Sequence, residues 1–391
     1  KLTKLVAHMN NPRRWHKWNG KVSAFPKGEE LPKGIRYVTV VAERGGQAAT
    51  NRTTWALVDT HEVTPLQPEE EFRMGVNFHG LRYSQIDRAI GMDALVAVGA
   101  KMVRNEATCF SEIWKAEDEI DWAMSDDYLD RLERHGLALD SVVWWPASWA
   151  VRKDADGKPV QGAIRLGFLR RFGEMLGQRY GKRIAYYEVG NEWDMSSEKW
   201  LPYEDAVRQV REFAEGLRST CPTAKVIPCG FAAEGSVRHP SNVIRPMFHE
   251  NLMRDVQDVV DAHPCHLHGP SKEYQLKVRN FIEWRERMNV RIPWYANETA
   301  FSMASMRPDD RQMAVTMWQK VLFAWSRGSI AYNWYNLRAT GWNPADPEQG
   351  YGMFSADWHP RTAAASFAAL ASTFRHQQFD GIAFDGKARQ V

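Results

Sequence analysis

The stretch "IAYYEVGNEW" (184–193) starts as a β-strand and ends on chemistry. Ile184, Tyr186, Tyr187 and Val189 are strand formers, and a strand that simply met solvent would close on turn residues. Here Asn191 and Glu192 stand side by side and Trp193 closes the run. One polar strand end is easily satisfied by water. The pair gains meaning if a second carboxylate arrives at the same place from elsewhere in the chain.

A second stretch has the same build: "IPWYANE" (292–298) finishes on Asn297 and Glu298. Around these two, apolar runs of strand length alternate with amphipathic stretches of helical length, punctuated by Gly, Pro and Asp. The first four strand candidates are 72–79, 101–107, 138–145 and 184–192. Four more follow at 225–231, 259–268, 292–298 and 330–336. Helix candidates lie between them, among them 126–136, 166–181, 203–219, 274–288, 309–328 and 361–376. Eight strands alternating with eight helices predict an α/β fold, a (β/α)8 barrel. An open doubly wound sheet would want a Gly-rich phosphate loop after its first strand, and "NFHGLRYS" (77–84) is not one.

The flanks read differently. "IRYVTVVAE" (35–43) and "TWALVDT" (54–60) predict a small β unit with "RGGQAATN" (44–51) as its turn, and "FDGIAFDGK" (379–387) looks like the start of another strand. The expected division is an N-terminal β element and linker over 1–68, the barrel over 69–378, and the start of a C-terminal β element over 379–391. The start at Lys1 is expected to reflect trimming or processing.

The 391 residues carry 51 basic and 48 acidic groups, a net charge of +3, which gives no reason to expect a nucleic-acid surface or attraction to a membrane. No run approaches the roughly 18 apolar residues of a membrane span. Cys109, Cys221, Cys229 and Cys265 are too few and too irregular for a disulfide scaffold or zinc ribbon. Nothing in the sequence speaks to oligomeric state. The 17 Trp, 12 Tyr and 17 Phe tilt toward a carbohydrate ligand, because flat aromatic faces suit the apolar faces of sugar rings.

Active sites of such barrels collect at the C-terminal ends of the strands. Those ends present Asn77 and His79, then Arg104 and Glu106, then Trp144 and Trp145, then Asn191 and Glu192. Later strands add His266 and His268, Asn297 and Glu298, and Trp334. Glu192 and Glu298 thus come from strands 4 and 7, which face each other across the mouth. Cleaving a glycosidic bond needs such a pair: one acid protonates the leaving oxygen while one carboxylate attacks the anomeric carbon or activates water.

"YYEVGNEW" (186–193) and "PWYANETAF" (293–301) resemble the signatures of clan A glycoside hydrolases. Within that clan the chain is most similar to family 39, through Glu188 four residues before Glu192 and through "CPTAKVIPCGF" (221–231). It departs where that family carries Trp and Pro and this chain has Gly190 and Trp193. The resemblance implies Glu192 as acid/base, Glu298 as nucleophile and a retaining reaction on a β-configured linkage in an oligo- or polysaccharide. It also implies that Asn191 bonds the sugar 2-hydroxyl, that Arg104 orients and ionises Glu298, and that Trp334 floors the cleavage subsite. His266 or His268 would bond the sugar or a carboxylate. Asn77, Trp145, Tyr295 and Trp342 complete the expected sugar-binding set, and Tyr351 and Trp358 share with Trp342 a long loop expected to shape the cleft. A secreted or periplasmic location follows from the same likeness. No cofactor and no metal are expected, because two carboxylates carry the chemistry.

Two rivals stand beside this reading. One is a barrel that binds carbohydrate without turning it over. The other takes "HPCHLHG" (263–269) as a zinc site of the amidohydrolase kind, since His266 and His268 fall on one face of a strand. That reading lacks the further His, Lys and Asp ligands at other strand ends. For Arg104 the alternative is a buried ion pair, and for Trp334 core packing.

Overall fold

The structure is a computed structural model that describes residues 34–44, 47–57, 72–195, 201–233, 244–302, 310–341, 343, 346–374 and 377. Eight parallel strands form the centre: β1 Arg73–Asn77, β2 Met102–Asn105, β3 Ala138–Val142, β4 Tyr186–Asn191, β5 Val226–Gly230, β6 His263–His266, β7 Trp294–Thr299 and β8 Ser329–Trp334. Each pairs with its sequence neighbour, and β8 returns to pair with β1, Ala331 opposite Arg73. Between β5 and β6 a parallel bridge joins Phe231 to Cys265, with His266 N donating to Phe231 O at 2.7 Å. That bridge closes the cylinder, so the eight barrel strands present no open edge.

A long helix follows every strand: α1 Gln85–Ala97, α2 Ala123–Arg134, α3 Phe168–Arg179, α4 Tyr203–Thr220, α5 Phe248–Val256, α6 Ser271–Arg287, α7 Asp310–Ser326 and α8 Thr362–Phe374. Their apolar stripes dictate their docking. In α4, Ala206, Val210, Phe213, Ala214 and Leu217 recur at helical spacing and are all buried. That helix lies close against α3, because a Cβ on Gly216 would fall 1.9 Å from Arg170 O. Inside the barrel a smaller cluster fills the bottom, with Met102, Ala138, Tyr186, Ile227, Tyr295 and Ala331 each from a different strand. A packed interior leaves only the strand ends for chemistry.

Two short antiparallel hairpins decorate the mouth, Trp114–Ala116 with Glu119–Ile120 and Val151–Lys153 with Pro159–Ile164. Upstream of the barrel, Gly34–Arg44 pairs with Gln47–Leu57 in register from Gly34↔Leu57 to Arg44↔Gln47, and this hairpin lies beside α8. The second strand starts earlier than the sequence suggests. Arg44 pairs with Gln47, which fixes the register, and pairing then carries on through Ala48, Ala49, Thr50 and Asn51. The expected C-terminal strand over 379–387 lies outside the described residues.

Candidate active site

Arg104, at the end of β2, is the hub. Its guanidinium uses all five donors: Nε and Nη2 fork onto Glu188 at 2.6 and 2.9 Å, and Nη1 reaches Asn77 Oδ1 at 3.1 Å and Glu298 Oε2 at 2.7 Å. The second Nη2 bond goes to Asn191 Oδ1 at 2.8 Å. Three strands, β1, β4 and β7, are thereby tied to β2 through one planar cation. The Asn191 amide is fixed as well, with Oδ1 committed to Arg104 and Nδ2 left for a ligand. Glu188 takes a third bond from Gly230 N at 2.7 Å, so no acceptor in this buried fork is idle.

Glu298 and Glu192 approach from opposite sides. An oxygen of each, with one nitrogen of His266, falls within a set whose members all lie within 4.8 Å of one another. Burial alone would raise Glu298. The His266 and His268 rings that face it and the Arg104 guanidinium outweigh that burial and hold this carboxyl well below the usual range. His268 Nε2 lies 3.3 Å from Glu298 Oε1. Glu192 meets the reverse balance: burial first, and then the charge of Glu298, push it up to about 7. The two carboxyls are driven apart, one to be a base and the other an acid.

His266 sets the geometry of Glu192. Its Nδ1 lies 2.9 Å from Glu192 Oε1, and burial pushes the ring down to about 4, so it is neutral near pH 7. Its Nε2 is buried without a partner and faces Gly230, where a Cβ would fall 1.9 Å from it. A proton on Nε2 would be stranded, so the favoured tautomer carries it on Nδ1 and donates to Oε1. That leaves the other oxygen of Glu192 free to carry a proton. The glutamate's own backbone is strained toward this pose, with a φ of 49° at a non-glycine residue.

The cavity above these groups has a volume of about 500 Å³. Trp145, Asn191, His266 and His268 line it, as their strand-end positions suggested. Asn77, Tyr295 and Trp334, expected on the sugar side, do not. Asn77 is enclosed beneath the site, its Nδ2 donating to Asn297 O at 3.1 Å. Tyr295 packs on Tyr186 inside the barrel and accepts from Asn333 Nδ2 at 2.6 Å. Trp334 faces the helix layer, because Ala331 and Asn333 take the inward phase of β8 and the alternation sends Tyr332 and Trp334 outward. The aromatic ring on the cavity wall is the next in phase, Tyr335. Trp342 lies outside the described residues. Trp358 packs against Phe78 and bonds Asp87, away from the cavity, whereas Tyr351 from the same loop lines it.

Sequence reasoning missed Tyr335, Glu348 and Lys277 as cavity residues and listed His79 and Glu106 only as strand ends. Counting the period-two phase of β8 from its small residues would have found Tyr335. No such signal marks the others. Glu106 is held by His79 at 3.0 Å and Arg82 at 2.7 Å; despite its burial, these neighbours bring it to about 2.

Glu192, His266 and Glu298 could in principle offer ligand atoms to a metal ion. Their surroundings suit a cation poorly. Arg104 already places positive charge on Glu298, and His268 meets the same carboxylate rather than joining His266 around a common point. The zinc reading of the His-x-His pair does not fit these donors.

No family model and no curated protein matches the chain. Solved structures do. A family 39 glycoside hydrolase from Bacteroides cellulosilyticus superposes with a TM-score of 0.67 at 14% identity, over 89% of this chain and 72% of that one. A monomeric β-xylosidase from Caulobacter crescentus gives 0.59 at 16%, over 79% and 69%. A xylanase from Thermotoga petrophila, solved with xylobiose, gives 0.57 at 13%, over 80% and 98%. At such identities the likeness speaks to architecture, and it agrees with the strand order: the chain is a (β/α)8 barrel of the shape these glycosidases share.

Proposed function

We propose that this protein is a retaining glycoside hydrolase acting on β-configured linkages in an oligo- or polysaccharide. The observation that carries the reading is the carboxyl pair: one oxygen of each within 4.8 Å of one oxygen of the other, one group held ionised and the other raised to about 7. Retaining pairs sit about 5–5.5 Å apart so that one carboxylate reaches the anomeric carbon, and inverting pairs stand about 6.5–9.5 Å apart to admit water. In the first step Glu298 attacks the anomeric carbon while Glu192 gives its proton to the departing oxygen. In the second, Glu192 takes a proton from water, which displaces Glu298 and restores the original configuration. Arg104 keeps Glu298 ionised and aimed, and Asn191 Nδ2 is placed for a sugar hydroxyl. Names of the similar structures, which include β-galactosidase and β-xylosidase, support the β-linkage.

The catalytic unit in this reading is the barrel over 69–378, flanked by β material over 1–68 and 379–391. A panel of aryl β-glycosides tests the activity. Turnover that disappears in Glu298→Ala supports the reading, and intact turnover in that variant contradicts it.

A further inference from the structure

A second cavity, of about 350 Å³, opens next to the first on the β2–β3 side of the mouth. The two share Arg82, Glu106 and Trp145 as common wall. The Arg82 side chain on that wall is 61% exposed, so the boundary between the two lies open to solvent.

The rim is built with care. Trp144 and Trp145 are neighbours, yet Trp144 is buried with Nε1 donating to Gly162 O at 3.2 Å, while Trp145 is left 36% exposed. A φ of 154° at Trp145, unusual for a side-chain-bearing residue, turns its ring toward the mouth. The pose is fixed by Ser111 N, which donates to Trp145 O at 3.0 Å, and by the Trp144 ring at 4.9 Å. An exposed tryptophan held this way offers a rigid apolar face at low entropic cost. Beyond it the second cavity mixes apolar Leu81 and Met124 with Ser111 and Glu112. Glu106, ionised and clamped by His79 and Arg82, faces both chambers as a fixed acceptor. An apolar platform with hydroxyl and carboxylate partners around it matches a pyranose, which has C–H faces and an equatorial belt of hydroxyls.

We infer that this second cavity is a sugar subsite adjoining the cleavage site, so that the substrate is a glycan of at least three linked residues and not a single-sugar glycoside. The inference rests on the proposed glycosidase activity and names its substrate class. A trisaccharide gains a ring on Trp145 that a disaccharide spanning the scissile bond lacks.

The test measures kcat/KM for β-linked di-, tri- and tetrasaccharides of xylose, glucose, galactose and mannose, alongside their aryl β-monoglycosides. Wild-type protein should favour trisaccharide over disaccharide about tenfold in the series it accepts, since one well-stacked ring contributes about that much. Trp145→Ala should bring this ratio close to one. Ser111→Trp, which fills the chamber without removing the rim, should do the same and guards against a folding defect in the first variant. A wild-type ratio near one, or a ratio unchanged in both variants, overturns the subsite while aryl turnover leaves the glycosidase reading standing. Absence of turnover on every aryl and oligomeric substrate overturns both.

Discussion

Arg104 Nη1 donates to Glu298 Oε2 at 2.7 Å, and the same guanidinium forks onto Glu188 from the other side. One cation therefore serves two carboxylates, one buried and structural, the other at the cavity floor. Replacing Arg104 by Lys keeps a charge but loses the planar fork. The variant should lose most activity, and the acid limb of its kcat/KM profile should move up by about one pH unit or more as Glu298 loses a partner. An unmoved acid limb would show that Arg104 does not set the ionisation of Glu298. Arg104→Met should cost about 3–5 kcal/mol in urea unfolding, because buried Glu188 loses both bonds of the guanidinium fork.

In the proposed mechanism the basic limb is set by Glu192. With its carboxyl raised to about 7, kcat/KM should fall as pH rises through that value and the acid is lost. Asp194, buried and accepting from Ala232 N and Ala233 N, is also pushed up to about 7 but lies outside the cavity. Asp194→Asn should therefore keep the basic limb. Both groups have folded-state values above their unfolded ones. Their contribution to stability is full below about pH 4 and is lost as pH rises toward and through 7; buried His266 acts with the opposite sign, so the Asp194 share shows as a decline in wild-type stability relative to Asp194→Asn, measured by unfolding across pH 4–8.

Gly230 makes room for His266, and Gly230→Ala places a methyl 1.9 Å from Nε2. The ring must shift, and Glu192 loses its fixed partner at Oε1. Expected is a fall in kcat of about tenfold to a hundredfold with a smaller change in KM, since aim matters most in the transition state. Steady-state kinetics on an aryl glycoside with a poor leaving group is the check; unchanged kcat would remove His266 from the account.

Behind the site, Lys320 Nζ is buried and donates to Leu267 O, Gly269 O and Ala300 O at 3.1, 3.2 and 2.8 Å, with Tyr274 beneath it. Lys277 holds the intervening carbonyl of His268 at 3.3 Å. The ends of β6 and β7 are thus tied together just past His268 and Glu298. Lys320→Ala should leave a carbonyl-lined hole that ammonium can fill. Ammonium chloride should raise the melting temperature and activity of this variant relative to lithium chloride, and should do neither for wild type. Equal effects of the two salts would contradict the positioning role.

How much of this was legible depended on backbone phase. The eight strands were visible because each is a short apolar run with punctuation, and Asn191–Glu192 and Asn297–Glu298 announced themselves as polar groups where a strand should close. The family resemblance implies Trp334 as the floor of the subsite, while the alternation from Ala331 and Asn333 points to Tyr335, one residue on. The positions of Glu348 and Tyr351 depend on how the long loop after β8 returns over the mouth, which tertiary packing decides. Arg104 was found by its strand end, but its five-fold hydrogen bonding needs three other strands assembled around it.

The central claim is double displacement through Glu298 with Glu192 as acid/base. Proton NMR of the first-formed sugar, followed during hydrolysis of an aryl β-glycoside, tests it most directly. The β-anomer should appear first and mutarotate later, and azide should partly restore turnover in Glu192→Ala with a β-glycosyl azide as product. First appearance of the α-anomer would contradict the mechanism, even with both glutamates essential.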